Sequence, residues 1–293
     1  MDTTFFDMSD KKVYGTRQFV RWVQPPQITY FINSLDKEGN HNVSTVTMGT
    51  AMIQGDGFYF PFAINHFDFA PKDSLSNLSE VSECVISYVG RGMLHESWIA
   101  ALPIPKGINE ADICNFHMLP SKKVRPAGIA ECPINLECKI IQTIDTGCST
   151  KIFLAKVVGV TVHKDLVELH EKSELATGIL NIDPIFEIVI DTLEDGRPPR
   201  LFYAALNRES LLATSDEIGN TKRWGGSFGE WMDSELERGR IAGDEHDEIM
   251  ALYTAWDKDK NPCTNAKAKE LLTKKLKEIV WRPRDSWPGT GRA

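Results

Sequence analysis

Short runs of β-branched and aromatic residues recur through the first two thirds of the chain, and this recurrence limits the possible folds most strongly. Several runs lie between Gly, Asn or Asp residues, which are typical of turns. Because few helical patterns separate the runs and most links resemble hairpins, the sequence predicts a mostly β fold, an antiparallel barrel rather than a parallel sheet. The predicted strands are residues 28–35, 42–50, 57–64, 84–89, 134–144, 151–163, 184–192 and 200–206.

Helical spacing of apolar residues is confined to a few segments. It predicts a short helix over residues 74–82, and Asn109 opens another that runs through Met118. From about Asp216 the pattern becomes mainly helical. The sequence therefore predicts an N-terminal arm (1–20), a barrel domain (21–215) and a helical C-terminal extension (216–293).

The extension contains two clear helical patterns. Acidic residues from Asp244 start the first helix, and Thr264 or Asn265 can cap the second. The second helix carries an apolar stripe, which must be buried against another surface. The stripe consists of Ala268, Leu272, Leu276 and Ile279.

Charge and composition narrow the class of partner. The chain has 293 residues and a formal net charge of −8, which disfavours nonspecific binding to nucleic acid or anionic membranes. No run approaches the ~20 apolar residues of a membrane span, and the start lacks the basic segment of a secretory signal. We therefore expect a cytoplasmic protein with no nucleic-acid or membrane partner.

The cysteines do not suggest a metal centre. Cys114 with His117, and Cys132 with Cys138, lack the paired spacing of a structural zinc site. We expect these cysteines to be buried thiols and predict no metal site.

A short polar segment between two apolar runs is the first candidate binding site. Asp73 or Ser74 can cap the helix that begins there, so its free N–H groups, its dipole and the Lys72 ammonium would converge on one spot that suits a phosphate. The alternative is a capped helix with a solvated lysine.

Residues 25–47 are predicted to form a β-hairpin with its turn at residues 36–40. Its proline-led strand and Leu-Asp-x-x-Gly turn resemble the opening of the flavin reductase-like FMN-binding family, of the flavoredoxin type. Further segments similar to motifs of that family are Lys72, Asp73, Ser74 and Asn77, then residues 129–139, 156–163 and 223–228. Ser74 stands where the family usually has Thr, and the second strand lacks a common proline.

The resemblance implies an FMN-binding split β-barrel that forms a homodimer. It implies hydride transfer from NAD(P)H through FMN to an acceptor, such as an oxygenase, another redox partner protein or a free substrate. The alternatives are a non-catalytic electron-transfer module and a dedicated FMN enzyme acting on one organic substrate. No Gly-x-Gly-x-x-Gly follows a predicted strand, so NAD(P)H would dock directly over the flavin.

The resemblance also implies cofactor-binding residues, whereas no catalytic residue is predicted. Small hydroxyls and backbone amides of the second hairpin strand would meet the flavin edge, and Met48, Phe60 or Phe62 would cover the ring; a plain half-exposed strand is the alternative. The Gly225–Gly226 pair forms either a phosphate-binding loop or a tight turn. For the C-terminal tryptophans we expect a packing role rather than contact with a ligand. The predicted cofactor-binding residues are Ser44, Thr45, Val46, Thr47, Lys72, Asp73, Ser74 and Asn77.

Overall fold

The computed structural model describes most of the chain, as two compact units that divide between Ser210 and Leu211. The predicted N-terminal arm, residues 1–20, and the predicted boundary at 215/216 lie outside the described residues. The described residues are 25–54, 57–65, 72–102, 104, 108–147, 150–172, 178–191, 200–206, 227–258, 262–280 and 282–288.

The first unit contains a seven-stranded sheet in the order β3-β2-β6-β9-β10-β5-β4, in which all neighbours are antiparallel. Two smaller sheets, β1-β11-β12 and β7-β8, accompany it. The strands are β1 Gln27–Ile28, β2 Tyr30–Leu35, β3 His41–Val46, β4 Met52–Gln54, β5 Gly57–Asn65, β6 Glu83–Tyr88, β7 Met118–Leu119, β8 Gly128–Ile129, β9 Ile134–Asp145, β10 Thr150–Val162, β11 Ile185–Asp191 and β12 Arg200–Ala205.

The segment after β3 closes the large sheet into a barrel. The Thr50 amide donates to the Pro61 carbonyl at 3.1 Å, and Gly49 bridges Phe62. A Cβ on Gly49 would lie 2.7 Å from the Phe60 ring, so only glycine fits where the two backbones approach. The predicted strand 42–50 therefore ends early, at Val46, because the chain leaves β2 there and crosses to β5.

Two apolar clusters lie on opposite faces of β2 and β3, as alternation along a strand requires. One, inside the barrel, includes Tyr30 and Ile32. The other includes Phe31 and Val43 and lies beneath the connecting segments. Most of the predicted strands are confirmed. They were predictable because the residue pattern that marks them is visible in the sequence.

Helices connect the strands and build the second unit. The predicted helix 109–118 is shorter than expected, since it ends at Ile113 and Met118 pairs with Ile129 in the β7–β8 ladder. The helix cap is confirmed, because the Asn109 side chain accepts a hydrogen bond from the Ala111 amide. The helices are α1 Asp73–Glu80, α2 Leu94–Ile99, α3 Glu110–Ile113, α4 Lys164–Lys172, α5 Phe228–Glu237, α6 Gly243–Lys258 and α7 Pro262–Val280; short 3₁₀ turns are Arg91–Met93, Gly178–Ile182 and Arg284–Ser286.

The second unit has its own apolar core, formed by α5, α6 and α7 and the turn after α5. The predicted stripe on α7 is confirmed: Ala268, Leu272 and Ile279 are buried and Leu276 packs against the same cluster. The predicted caps are wrong, because α7 begins at Pro262 and residues 264 and 265 lie within it. Proline suits the first helical position, where no N–H is needed. None of the helices in the described ranges is long and apolar enough to cross a membrane.

Candidate functional site

The N-terminus of α1 lies at the predicted phosphate site. Lys72 immediately precedes the helix in an extended conformation, and Asp73 occupies its first turn. The prediction that Asp73 or Ser74 caps α1 is wrong: Lys72 is the N-cap residue and no side chain caps the helix. The free N–H groups of the first turn are therefore not satisfied by a cap and can serve a ligand.

The buried face of α1 packs on β2 and β3. The Asn77 amide nitrogen donates to the Ser34 hydroxyl of β2 at 3.2 Å, and both groups are buried. Ser34 pairs with Asn42 and Ile32 pairs with Ser44, so Ser44 lies on the face of β3 that α1 covers. Asn77, a predicted cofactor-binding residue, thus holds the helix in place over that face.

Two buried hydroxyls on α1 and β3 have no hydrogen-bond partner among the residues that the structure describes. They belong to Ser74 in the first turn of α1 and to Ser44 in β3, which are 1% and 5% exposed. A buried hydroxyl left unpaired costs about 1–3 kcal/mol, so such groups mark a place where a ligand is needed. Both are predicted site residues, and they fit phosphate oxygens or polar edge atoms of a flavin.

Lys72 adds a cation to these hydroxyls. Its side chain is half-buried, and across the described ranges its ammonium has neither a hydrogen-bond nor an ion-pair partner. Burial lowers the pKa of Lys72, and the negative charge of Glu110 opposes that shift. A partly desolvated, unpaired ammonium is suited to bind an anion.

Glu110 is a site residue that sequence reasoning missed. It opens α3, is 6% exposed, and its Oε2 accepts the Val43 amide of β3 at 3.0 Å. Burial raises the pKa of Glu110, whereas the hydrogen bond from Val43 lowers it. The acid at the start of a short helix was visible in the sequence, but its hydrogen bond to Val43 of β3 depends on the way in which the elements pack.

The other β3 residues are less available than predicted. The Thr45 hydroxyl donates to the Ser97 carbonyl, and its amide donates to the Ala100 carbonyl at 3.1 Å. The Thr47 hydroxyl donates to Gln27 at 3.1 Å, and Val46 belongs to the barrel core. Among the four predicted residues 44–47, Ser44 therefore has the one side-chain hydroxyl without a partner in the described ranges.

Two of the three residues predicted to cover the ring belong to the barrel core. Phe60 and Phe62 are buried there, and the Phe62 ring stacks on that of Phe153. Met48 is partly exposed on the segment that follows β3. It is the one candidate of the three that remains open to a ligand.

Polar residues of the family-like segment 129–139 have structural roles. The Asn135 side chain accepts the Ser87 hydroxyl at 2.6 Å and the Ile129 amide at 3.0 Å. The buried Glu137 carboxylate accepts the amides of Lys122 and Lys123. These hydrogen bonds hold the 122–133 connection against β6 and β9.

The expectation of buried thiols is confirmed at every cysteine whose burial is described. These are Cys84, Cys114, Cys132 and Cys138. Burial raises the pKa of the Cys114 thiol to about 11, so it is protonated at neutral pH. No group of three or more metal-ligating side chains occurs in the described ranges.

The structure describes only the end of the family-like segment 223–228. Residues 223–226, including Trp224 and the Gly225–Gly226 pair, lie outside the described residues. Ser227 forms a reciprocal capping box with Glu230 at the start of α5. Trp231 packs edge-on against Phe228, which agrees with the packing role expected for the tryptophans.

The sequence comparison identifies the family. Residues 25–177, slightly more than half of the chain, match the flavin reductase like domain. This chain belongs to the flavin reductase-like family. The match contains β2, β3, α1 and α3, and therefore every residue of the site described above.

Curated relatives share part of this region. An uncharacterized protein of Deinococcus radiodurans is 30% identical over 115 residues, which cover 39% of this chain and 50% of the relative. One from Pyrococcus abyssi is 33% identical over 100 residues, covering 34% of this chain and 56% of the relative. The chain thus spans about half the length of these curated relatives.

Solved structures of the flavin reductase-like fold superpose on most of this chain. Nitrilotriacetate monooxygenase component B from Bacillus cereus has a TM-score of 0.57 at 16% identity, covering 71% of this chain and 97% of its own. The 2-nitrobenzoate 2-nitroreductase from Pseudomonas fluorescens has 0.57 at 20%, covering 76% and 100%. A Shewanella frigidimarina protein with a split barrel domain has 0.55 at 13%, covering 72% and 100%. The split-barrel prediction is confirmed.

Proposed function

We propose that this member of the flavin reductase-like family binds FMN through the start of α1 and the adjacent face of β3. The observation that supports it is that the buried hydroxyls of Ser44 and Ser74 and the Lys72 ammonium have no hydrogen-bond partner within the part of the chain that the structure describes, and that Lys72 and Ser74 lie together at the start of α1. Lys72, Ser74 and the first N–H groups of α1 would hold the phosphate, and Ser44 would meet the flavin. Asp73 lies in the same turn, and Asn77 positions the helix.

FMN suits this site better than FAD. The Lys72 cation and the Ser74 hydroxyl are two positions apart at the start of one short helix, which makes a compact cradle for one phosphate. The sequence has no Gly-x-Gly-x-x-Gly turn after a strand that could hold an adenosine diphosphate. We therefore expect FMN to bind more tightly than FAD.

We further propose an oxidoreductase that passes hydride from NAD(P)H through FMN to an acceptor. The chemistry that FMN supplies when bound is hydride acceptance and electron delivery. In this proposal the start of α1 would bind the phosphate, and Ser44 of β3 would contact the flavin. Family membership supports the reaction class, while the acceptor, an oxygenase, another redox partner or a small molecule, stays a prediction.

A homodimer belongs to the same proposal. Large apolar side chains on β9 and β10, Ile141, Ile144 and Val160, are 52%, 45% and 51% exposed in the single chain. Val160 pairs with Leu136 and Ile144 with Ile152, so these side chains are spread along the hairpin and do not by themselves define an interface. The homodimer therefore rests on the family resemblance. A second copy of the chain is the partner that the family resemblance implies.

The test is a spectroscopic titration of the purified protein. Flavin is removed, and FMN, FAD, NADH and NADPH are then added in turn while absorption is recorded. The proposal expects tighter binding of FMN than of FAD, and bleaching of the bound flavin by a nicotinamide nucleotide. FMN binding without bleaching by either nucleotide would instead support the non-catalytic electron-transfer alternative, and turnover with one organic acceptor would support the dedicated enzyme. Failure to bind FMN would contradict the whole proposal.

A further inference from the structure

A buried hydrogen bond joins α1 to the barrel. The Asn77 side-chain nitrogen donates to the Ser34 hydroxyl of β2 at 3.2 Å, and these residues are 3% and 0% exposed. Asn77 lies three positions after Ser74, and residues three apart share one face of a helix. The hydrogen bond therefore holds α1 within one turn of a residue that is proposed to bind the phosphate.

The orientation of α1 depends on this hydrogen bond more than on its other contacts. The helix is 8 residues long and no side chain caps its start, and so short a helix is not stable in water by itself. Leu75 and Leu78 pack against the barrel core, but apolar contacts have no preferred direction. Within the described ranges, the other hydrogen bonds of α1 side chains stay inside the helix, apart from an exposed one at 3.4 Å from the Lys37 amide to Glu80. Because a hydrogen bond requires a defined distance and angle, the buried one fixes the rotation of the helix.

Ser34 also connects the helix to the face of the sheet that carries Ser44. Ser34 pairs with Asn42, and Ile32 pairs with Ser44. Residues two apart in a strand point to the same face, so Ser34 and Ser44 project from one face of the β2–β3 ladder. The hydrogen bond to Ser34 thus sets where the start of α1 lies relative to that face.

We propose that Ser34 is a positioning residue of the phosphate site, and that Asn77 contributes to flavin binding through Ser34 rather than by contact with the cofactor. This inference rests on the proposed FMN site and deepens it. The resemblance to the family implies a cofactor contact for Asn77, whereas its side-chain nitrogen is already used inside the protein. Ser34 lies within a fully buried strand, where the sequence pattern indicates a structural residue only.

The experiment compares wild type with Ser34→Ala and Asn77→Ala, which remove the hydrogen bond from its two sides. FMN and riboflavin, which lacks the phosphate, are titrated by fluorescence into the flavin-free proteins. We expect each variant to bind FMN about three- to tenfold more weakly, the net effect of one hydrogen bond between neutral groups, with little change in riboflavin affinity. The double variant should bind FMN no more weakly than the weaker single variant, because both changes remove the same interaction.

Ser87→Ala is the matched control. Ser87 is a serine of β6 that is also 0% exposed, its hydroxyl donates to Asn135 at 2.6 Å, and Asn33 donates to it at 2.8 Å. None of these contacts involves α1. We expect S87A to lower the free energy of unfolding in urea and to leave the ratio of FMN to riboflavin affinity unchanged, which separates a positioning role from a loss of stability.

Hydrogen–deuterium exchange of the flavin-free proteins follows the helix directly. S34A and N77A should speed exchange of the amides of residues 73–80, since they loosen the attachment of α1. S87A should leave the exchange of these amides as it is in the wild type. This measurement needs no bound flavin.

Several outcomes would overturn the inference. They are an equal fall of the affinity ratio in S34A and S87A, unchanged FMN affinity in both S34A and N77A, and a further loss of FMN affinity when N77A is added to S34A, since Asn77 would then contact the cofactor itself. If S34A does not fold, N77A leaves the strand intact and decides by the same measurements. Unchanged exchange of α1 in the variants would contradict the inference alone, whereas failure of the wild type to bind FMN would contradict the proposed function.

Discussion

Replacing Ser74 with alanine should stabilise the flavin-free protein and weaken FMN binding at the same time. Ser74 is 1% exposed in α1, and its hydroxyl has no hydrogen-bond partner in the described ranges. An unpaired buried hydroxyl costs about 1–3 kcal/mol, and alanine favours a helix by a few tenths of a kcal/mol, roughly 0.5. We therefore expect the free energy of unfolding to rise by about 1–2 kcal/mol.

The same hydroxyl is proposed to donate to the FMN phosphate. A hydrogen bond to a charged group contributes about 1.5–3 kcal/mol. Its loss corresponds to roughly 10- to 150-fold weaker FMN binding. The opposite signs of the two effects are characteristic of a group kept for a ligand rather than for the fold.

Urea unfolding of the flavin-free protein and a fluorescence titration with FMN measure the two effects separately. Ser79→Ala is the control, because Ser79 lies on the exposed side of α1 and its hydroxyl donates to the Leu75 carbonyl at 2.9 Å. The control should leave FMN affinity unchanged. A less stable S74A protein with unchanged FMN affinity would show that the hydroxyl has a structural partner and no ligand.

Four further predictions test other parts of the fold and of the site. Lys72→Ala should weaken FMN binding by about 1.5–3 kcal/mol and barely change stability in urea; unchanged affinity would assign Lys72 to solvent. Gly49→Ala should destabilise the barrel by about 1–3 kcal/mol, because its Cβ would lie 2.7 Å from the Phe60 ring; wild-type stability would refute the close approach. Arg240→Ala removes the counter-ion 3.2 Å from the fully buried Glu235, so it should destabilise the second unit by about 3–5 kcal/mol in urea, and no change would mean that the pair contributes nothing. Truncation after Ser215 should leave a folded barrel by circular dichroism, because each unit has its own core; an unfolded product would contradict this.

Local sequence patterns were sufficient for the longer strands, since the β-branched and aromatic residues that mark β2, β5 and β6 lie together in short runs. The short strands β4, β7 and β8 were not predicted. The end of β3 was not predictable in this way. Its chain continues as an extended segment, and only the closure of the barrel at Gly49 shows that it changes partner from β2 to β5. A strand's partners depend on long-range contacts, which periodicity does not encode.

Some residues of the candidate site were predictable from the sequence, and others were not. Lys72 and Ser74 were predictable because they lie together at the start of one helix. The role of Asn77 in holding α1, and the use of the Thr45 hydroxyl by α2, depend on tertiary contacts. Glu110 was missed for the same reason, because it lies 38 positions after Lys72 in the sequence.

The central claim, a phosphate site at the start of α1, is tested most directly by comparing FMN with riboflavin on the flavin-free wild-type protein. The two ligands share the ring and differ in the phosphate, so the ratio of their dissociation constants reports the phosphate site alone. Contacts from Lys72 and Ser74 predict that FMN binds at least about tenfold more tightly than riboflavin, and that Lys72→Ala reduces this ratio. Equal affinities for the two ligands, or tighter binding of FAD than of FMN, would contradict the account.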